Sequence, residues 1–321
     1  MTSDAVAGSL ARLLARPVDA GAAEIRDLRR LTGGASRETW SFDAVHADGE
    51  VEPFVLQRAR VAESQPALVT EAALLRAAAA AGVPVAELVA SEGDEVLGAH
   101  VLVSRRVEGE TIARRLLRDD EWAAARERLV AQCGAALGAV HRIPVDAVPD
   151  LPTDDQLARY RAVLHDFGDP HPVFELALRW LAARRPPPSP PVVVHGDFRL
   201  GNLLVGPDGL RAVLDWELAH LGDPVEDLGW LCVRAWRFGG PAPVAGLGTY
   251  DELLDAYAAA SGRRVDPDHL RWWEVLGTLK WGIMCKVQAA AHLTGAARSV
   301  ELAAIGRRVC ENEHDLLELI A

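Results

Sequence analysis

A proline run fixes the layout of this chain. RRPPPSPP, from Arg184 to Pro191, cannot be helix or central strand, because consecutive prolines lack N–H donors and favour an extended conformation. It reads as a stiff connector, and it opens directly into VVVHGDFRLGNLLV: a short β-branched run, a polar loop and a second apolar run. After Gly209, RAVLDWELAH repeats the form, a strand with an acidic residue at its end.

The segments before this connector divide in two. IRDLRRLTGG and ETWSFDAV flank a Gly-Gly turn, PFVLQRAR follows as a third strand, and VAELVASEG with AHVLVSRRV makes a further hairpin. Between them QPALVTEAALLRAAAAAG has the alanine-rich composition of a helix ended by Gly82. From about Glu108 the pattern turns helical: DDEWAAARERLVAQCGAALGAVHRI puts Leu129, Cys133, Ala136, Leu137 and Val140 on one stripe. The expected class is α+β, with a small antiparallel lobe carrying one helix over residues 1–106 and a larger, mainly helical lobe over 107–321.

Half of the 321 residues are hydrophobic, enough to bury two lobes that meet at a cleft. A formal charge of −12 argues against a nucleic-acid partner, since a phosphate backbone demands a basic face. The chain has 11 basic against 15 acidic side chains up to Arg106 and 23 against 31 beyond it. No basic start precedes an apolar run and no stretch approaches the roughly 20 apolar residues of a membrane span, so a cytoplasmic protein without a membrane partner is expected. Cys133, Cys232, Cys285 and Cys310 stand far apart, which suggests buried small hydrophobes and no disulfide framework. Only two lysines occur, Lys280 and Lys286.

The strongest chemical signal is His195-Gly196-Asp197, with Asn202 five residues after Asp197 and Asp215 eighteen after it, each on a loop beside a strand end. Phosphoryl transfer needs such a set, because its difficulty is charge: one carboxylate orients the acceptor hydroxyl and others hold magnesium against the phosphates. Asp197 fits the catalytic role with His195 beside it, and Asn202 with Asp215 the metal role. Caps of ordinary turns are the bland alternative for any one of these residues alone.

HGDFRLGN followed by LDWE and GDPVEDLGWL resembles the catalytic and metal-binding segments of the aminoglycoside phosphotransferase-like family, distant relatives of protein kinases. The match is similar to a subgroup that includes phosphotransferase-like domains fused to some acyl-CoA dehydrogenases, and it covers roughly Leu28 to Leu319. The resemblance implies a protein-kinase-like two-lobed fold and transfer of the γ-phosphate of ATP, with Mg2+, to a hydroxyl of a small molecule. A nucleotide-binding module without catalysis and an antibiotic (aminoglycoside) kinase are the alternatives. With only Leu218 to Leu221 between LDWE and GDPVED, there is no room for a protein-kinase activation segment.

In the first lobe, LTGGASRETW supplies the loop expected over the phosphates. Gly33 and Gly34 let the backbone approach them, and Ser36 and Arg37 stand at the tip. The resemblance then implies a lysine in the third strand paired with an acid in the following helix. This strand offers Gln57 and Arg58 instead, and Arg58 with Glu71 is the expected pair. Alternation places Arg58 on the face of Phe54 and Leu56, and Gln57 on that of Val55. Adenine is expected against Val103 to Val107. Asp223 and Asp227 are expected to brace the catalytic loop, His141 to be a packing residue, and Trp272, Trp273 and Trp281 to fill core. The expected acceptor is a neutral or anionic hydroxylated metabolite; the oligomeric state and the choice of ATP over GTP are not written in these motifs.

Overall fold

The computed structural model describes residues 3–16, 19, 21–31, 37–59, 65–148 and 150–321. Gly33, Gly34 and Ser36, expected over the phosphates, lie outside them. The amino-terminal part begins with helix α1 (Ser3–Leu13), followed by strands β1 (Glu24–Leu31), β2 (Arg37–Val45) and β3 (Val51–Ala59), helix α2 (Gln65–Ala80), and strands β4 (Leu88–Glu92) and β5 (His100–Arg105). The strands form one antiparallel sheet of order β1-β2-β3-β5-β4.

Side-chain alternation decides what each face of this sheet does. Phe42, Ala44, Phe54, Leu56, Val101 and Val103 point to one face, where Val6, Leu10 and Leu14 of α1 and its C-terminal end cover them. Leu102 and Ala59 point the other way and join Leu68, Ala72, Leu75 and Ala78 of α2 in a core continuous with the helical half. Helix α2 stops where expected: Gly82 takes φ +82°, and the Val83 amide bonds back to Ala78.

The second part runs α3 (Ala113–Arg118), α4 (Ala123–Val140), α5 (Gln156–Phe167), α6 (Pro172–Ala183), β6 (Val192–Val194), β7 (Leu203–Gly206), β8 (Gly209–Val213), β9 (His220–Gly222), α7 (Val225–Cys232), α8 (Tyr250–Ser261), α9 (Pro267–Leu293), α10 (Val300–Gly306) and α11 (Val309–Ile320). The expected stripe of α4 is buried, from Leu129 to Val140. Gly134 and Gly138 let α4 lie directly on α8, since a Cβ on either would meet Ala256 or Ala260 at 2.8 or 2.7 Å. The proline run is irregular and leads into the fully buried β6, which pairs with β9, while β7 and β8 form a second hairpin. Cys133, Cys232 and Cys285 are buried and Cys310 is exposed; all four are free. No described helix is long and apolar enough to cross a membrane.

Candidate active site

The buried β6 delivers His195, and Gly196 then turns the chain at φ +79°. Glycine is required there twice over, by the left-handed backbone and because a Cβ would lie 2.4 Å from the Leu218 carbonyl. Asp227, in the first turn of α7, holds this turn from below: its Oδ2 accepts the His195 amide at 2.8 Å and its Oδ1 the Gly196 amide at 2.9 Å. The same carboxylate contacts His141 Nε2 at 3.2 Å, and His141 Nδ1 lies 2.9 Å from the Tyr257 hydroxyl. Burial alone would raise the Asp227 pKa, but the His141 side chain and the hydrogen bond from the His195 amide hold it below the ordinary carboxylate value. Asp223 does something different: it caps α7 through the Val225 amide and pairs with His269 at 3.2 Å.

His195 is fully buried, and burial lowers its pKa and keeps it neutral. Its Nδ1 accepts the Asp197 amide at 3.2 Å, so Nε2 carries the proton and donates to the Leu214 carbonyl at 3.1 Å. With both nitrogens engaged inside the protein, His195 ties the HGDFRLGN loop to the segment that carries Asp215. Its place among catalytic residues is therefore corrected to a positioning role. The Leu214 amide completes the link by donating to the Asn202 carbonyl at 2.9 Å.

Asp197 is partly open to the cleft. Its Oδ1 accepts from Trp230 Nε1 at 2.8 Å, its Oδ2 from Asn202 Nδ2 at 2.6 Å, and Arg199 Nε lies 3.1 and 3.2 Å from the two oxygens. Since the Asn202 nitrogen is spent on Asp197, its Oδ1 is the atom left to meet a cation. Lys280 sits behind the loop, donating to the Gly196 carbonyl at 3.0 Å with its ammonium 4.5 Å from the Trp230 ring.

Asp215 follows β8 with φ +64°, a left-handed conformation that costs a non-glycine residue about 1–2 kcal/mol. Desolvation in the cleft, then the charges of Glu217 and Asp197, raise its pKa to about 6. Glu71 of α2 is also raised, by burial first and by Asp215 and Glu217 in addition. Carboxylate and amide oxygens that repel one another are the kind of donors a hard cation such as magnesium takes, and Asp215 with the Asn202 Oδ1 could supply them.

The expected pairing of Arg58 with Glu71 is not what forms. Arg58 bonds Glu38, directly opposite it on β2, at 2.8 and 2.7 Å, and donates to the Val96 carbonyl at 3.1 Å. The reason is the alternation noted above: Arg58 shares the α1 face with Phe54 and Leu56, whereas α2 covers the opposite face. Glu71 forms its ion pair with Arg37 instead. Sequence reasoning also missed Trp230, Arg199 and Lys280. Trp230 stands one helical turn beyond Asp227, the only signal that both face the same loop.

A model described as the phosphotransferase enzyme family (APH) matches residues 27–273, from β1 through the loop, Asp215, α7 and the start of α9. The chain belongs to this family. The family carries the reaction class, nucleotide-dependent transfer of a phosphoryl group to a small molecule. Among solved structures of the two-lobed fold, a candidate aminoglycoside phosphotransferase from Ralstonia eutropha superposes with a TM-score of 0.73 at 20% identity, over 99% of this chain and 98% of that one. The GDP complex of aminoglycoside 2'-phosphotransferase-IIIa gives 0.67 at 16% identity, covering 91% of this chain and 94% of that one. In sequence, acyl-CoA dehydrogenase family member 11 of Gallus gallus is 30% identical over 138 residues, 38% of this chain. That match spans only 18% of the relative's own length.

Proposed function

We propose that this APH-family chain moves the γ-phosphoryl group of ATP to a hydroxyl of a small, neutral or anionic metabolite, with magnesium. The observation that carries the reading is the Asp197 carboxylate, fixed by Trp230, Arg199 and Asn202 beside the acidic, partly desolvated Asp215. In this reading the acceptor hydroxyl donates to Asp197, its oxygen attacks the γ-phosphorus in line, and the proton passes to the carboxylate as ADP departs. Asn202 Oδ1 and Asp215 would hold magnesium, which supplies charge neutralisation at the phosphates. Gly33, Gly34 and Ser36 are assigned to the phosphates and Val103 to Val107 to adenine, with a lobe boundary near Arg106.

The acceptor assignment rests on charge. The carboxylates of α11 are spent on partners: Glu311 on Arg308, Glu313 on His171, and Asp315 and Glu318 on Arg234. Beside Asp197, the Arg199 guanidinium lies 4.8 Å from the Trp236 ring, and Trp236 is 4.7 Å from Trp281. The indole N–H groups of Trp236 and Trp281 are buried with no acceptor among the described residues. A guanidinium beside Asp197 disfavours a polycationic aminoglycoside and favours a neutral or anionic metabolite, and the acyl-CoA dehydrogenase relatives make acyl derivatives the first class to try. ADP release measured with aminoglycosides, hydroxy acids and coenzyme A esters of hydroxy acids tests it. Saturable activity on the last two classes is expected; activity on aminoglycosides alone at micromolar concentration would overturn the acceptor assignment.

A further inference from the structure

We propose that Arg37, the first residue of β2, is the cation that contacts the α- and β-phosphates, taking over the task that the third-strand position cannot perform here. The first ground is the face of the sheet. On β2, Phe42 and Ala44 turn toward α1, so the odd positions Arg37, Thr39 and Ser41 turn toward α2 and the cleft. On β3 the cleft-facing residue opposite Thr39 is Gln57, which is uncharged, while the charged Arg58 faces α1. No lysine precedes Lys280 in the chain.

The second ground is what Arg37 touches. Its guanidinium forms an ion pair with Glu71 of α2, and the two side chains are 11% and 5% exposed. Its charge is also felt at Asp215, where it opposes part of the rise that desolvation causes. The third ground is position: Arg37 directly follows the segment bearing Gly33, Gly34 and Ser36. A guanidinium carries five N–H donors in a fork, and that fork matches phosphate oxygens. Glu71 orients it, as the helix acid orients a lysine in a kinase-like site.

This inference rests on the nucleotide reading above, and the experiment separates the two. Calorimetry on the full chain with magnesium present would measure binding of ATP, ADP and adenosine to the wild type, Arg37→Ala, Arg37→Lys and Arg58→Ala. Loss of a charge-assisted contact to phosphate should weaken ATP and ADP about 10- to 100-fold in Arg37→Ala and leave adenosine within about threefold. Arg37→Lys should recover part of the loss, and so should a lysine at the cleft-facing third-strand position, in Arg37→Ala/Gln57→Lys. Because Arg37→Ala strands the buried Glu71, Arg37→Ala/Glu71→Gln is measured beside it, and the same selective loss is expected there. Equal loss for adenosine, or a larger loss in Arg58→Ala, would overturn the assignment. A wild type that binds neither ATP nor ADP would overturn the nucleotide reading and this inference with it.

Discussion

Trp230 donates its indole N–H to Oδ1 of Asp197 at 2.8 Å, from a ring that is itself almost fully buried and backed by the Lys280 ammonium at 4.5 Å. A helix of the second half thereby aims the carboxylate assigned to the acceptor. Trp230→Phe keeps most of the packing and deletes the donor. A hydrogen bond to a charged group contributes about 1.5–3 kcal/mol, so kcat should fall roughly 10- to 100-fold with nucleotide affinity little changed. Steady-state kinetics beside calorimetry checks this; an unchanged kcat would remove Trp230 from the aiming of Asp197.

Asp215 should write itself into the pH dependence of stability. Its folded pKa, raised from 3.8 to about 6, means that the protonated form is favoured on folding. Its contribution is therefore fully present below about pH 4 and is lost as pH rises through about 6. Asp215→Asn should abolish that loss and make the ligand-free variant more stable than wild type at pH 8 by about 1 kcal/mol, after discounting for solvent screening of this accessible group. Urea titrations of both proteins at pH 4, 6 and 8 provide the difference, and a difference independent of pH would contradict the crowding of charge. The same variant should bind ATP equally with and without magnesium, whereas wild type binds better with it.

Asp227 is a structural anchor with no exposed surface, holding two backbone N–H groups and His141. Asp227→Ala leaves three buried polar partners unsatisfied, and each such buried group costs about 1–3 kcal/mol. The expected result is a correspondingly lower urea midpoint with an unchanged denaturant slope. A loss below about 1 kcal/mol would show that the loop does not depend on this carboxylate.

The hairpins, the alanine-rich helix and the HGDFRLGN loop were legible because their signals are local: turn glycines, β-branched runs and the amphipathic stripe of α4. Fixing the pairing of Glu71 required knowing which helix covers which sheet face. Alternation separates Arg58 from Gln57, but only the docking of α1 through Val6 and Leu10 shows that the Arg58 face is turned from the cleft. Helix α1 itself has no start or stop signal strong enough to stand out from MTSDAVAGSLARLLARPVD, and its worth lies in tertiary burial. Trp230, Arg199 and Lys280 meet Asp197 or its loop from residues 2 to 84 positions away in sequence, and the distant ones leave no local trace.

The assignment of Asp197 is tested most directly by Asp197→Asn, in an assay that follows transfer of the labelled γ-phosphate of ATP into a mixture of hydroxylated metabolites while calorimetry follows magnesium–ATP binding. The asparagine keeps the size of the side chain and removes the base. Transfer should fall by about 10²–10⁴-fold, the scale of a positioned general base, with nucleotide affinity within about threefold of wild type. A variant that keeps more than about a tenth of the wild-type transfer rate would contradict the role of Asp197 as the group that receives the acceptor proton.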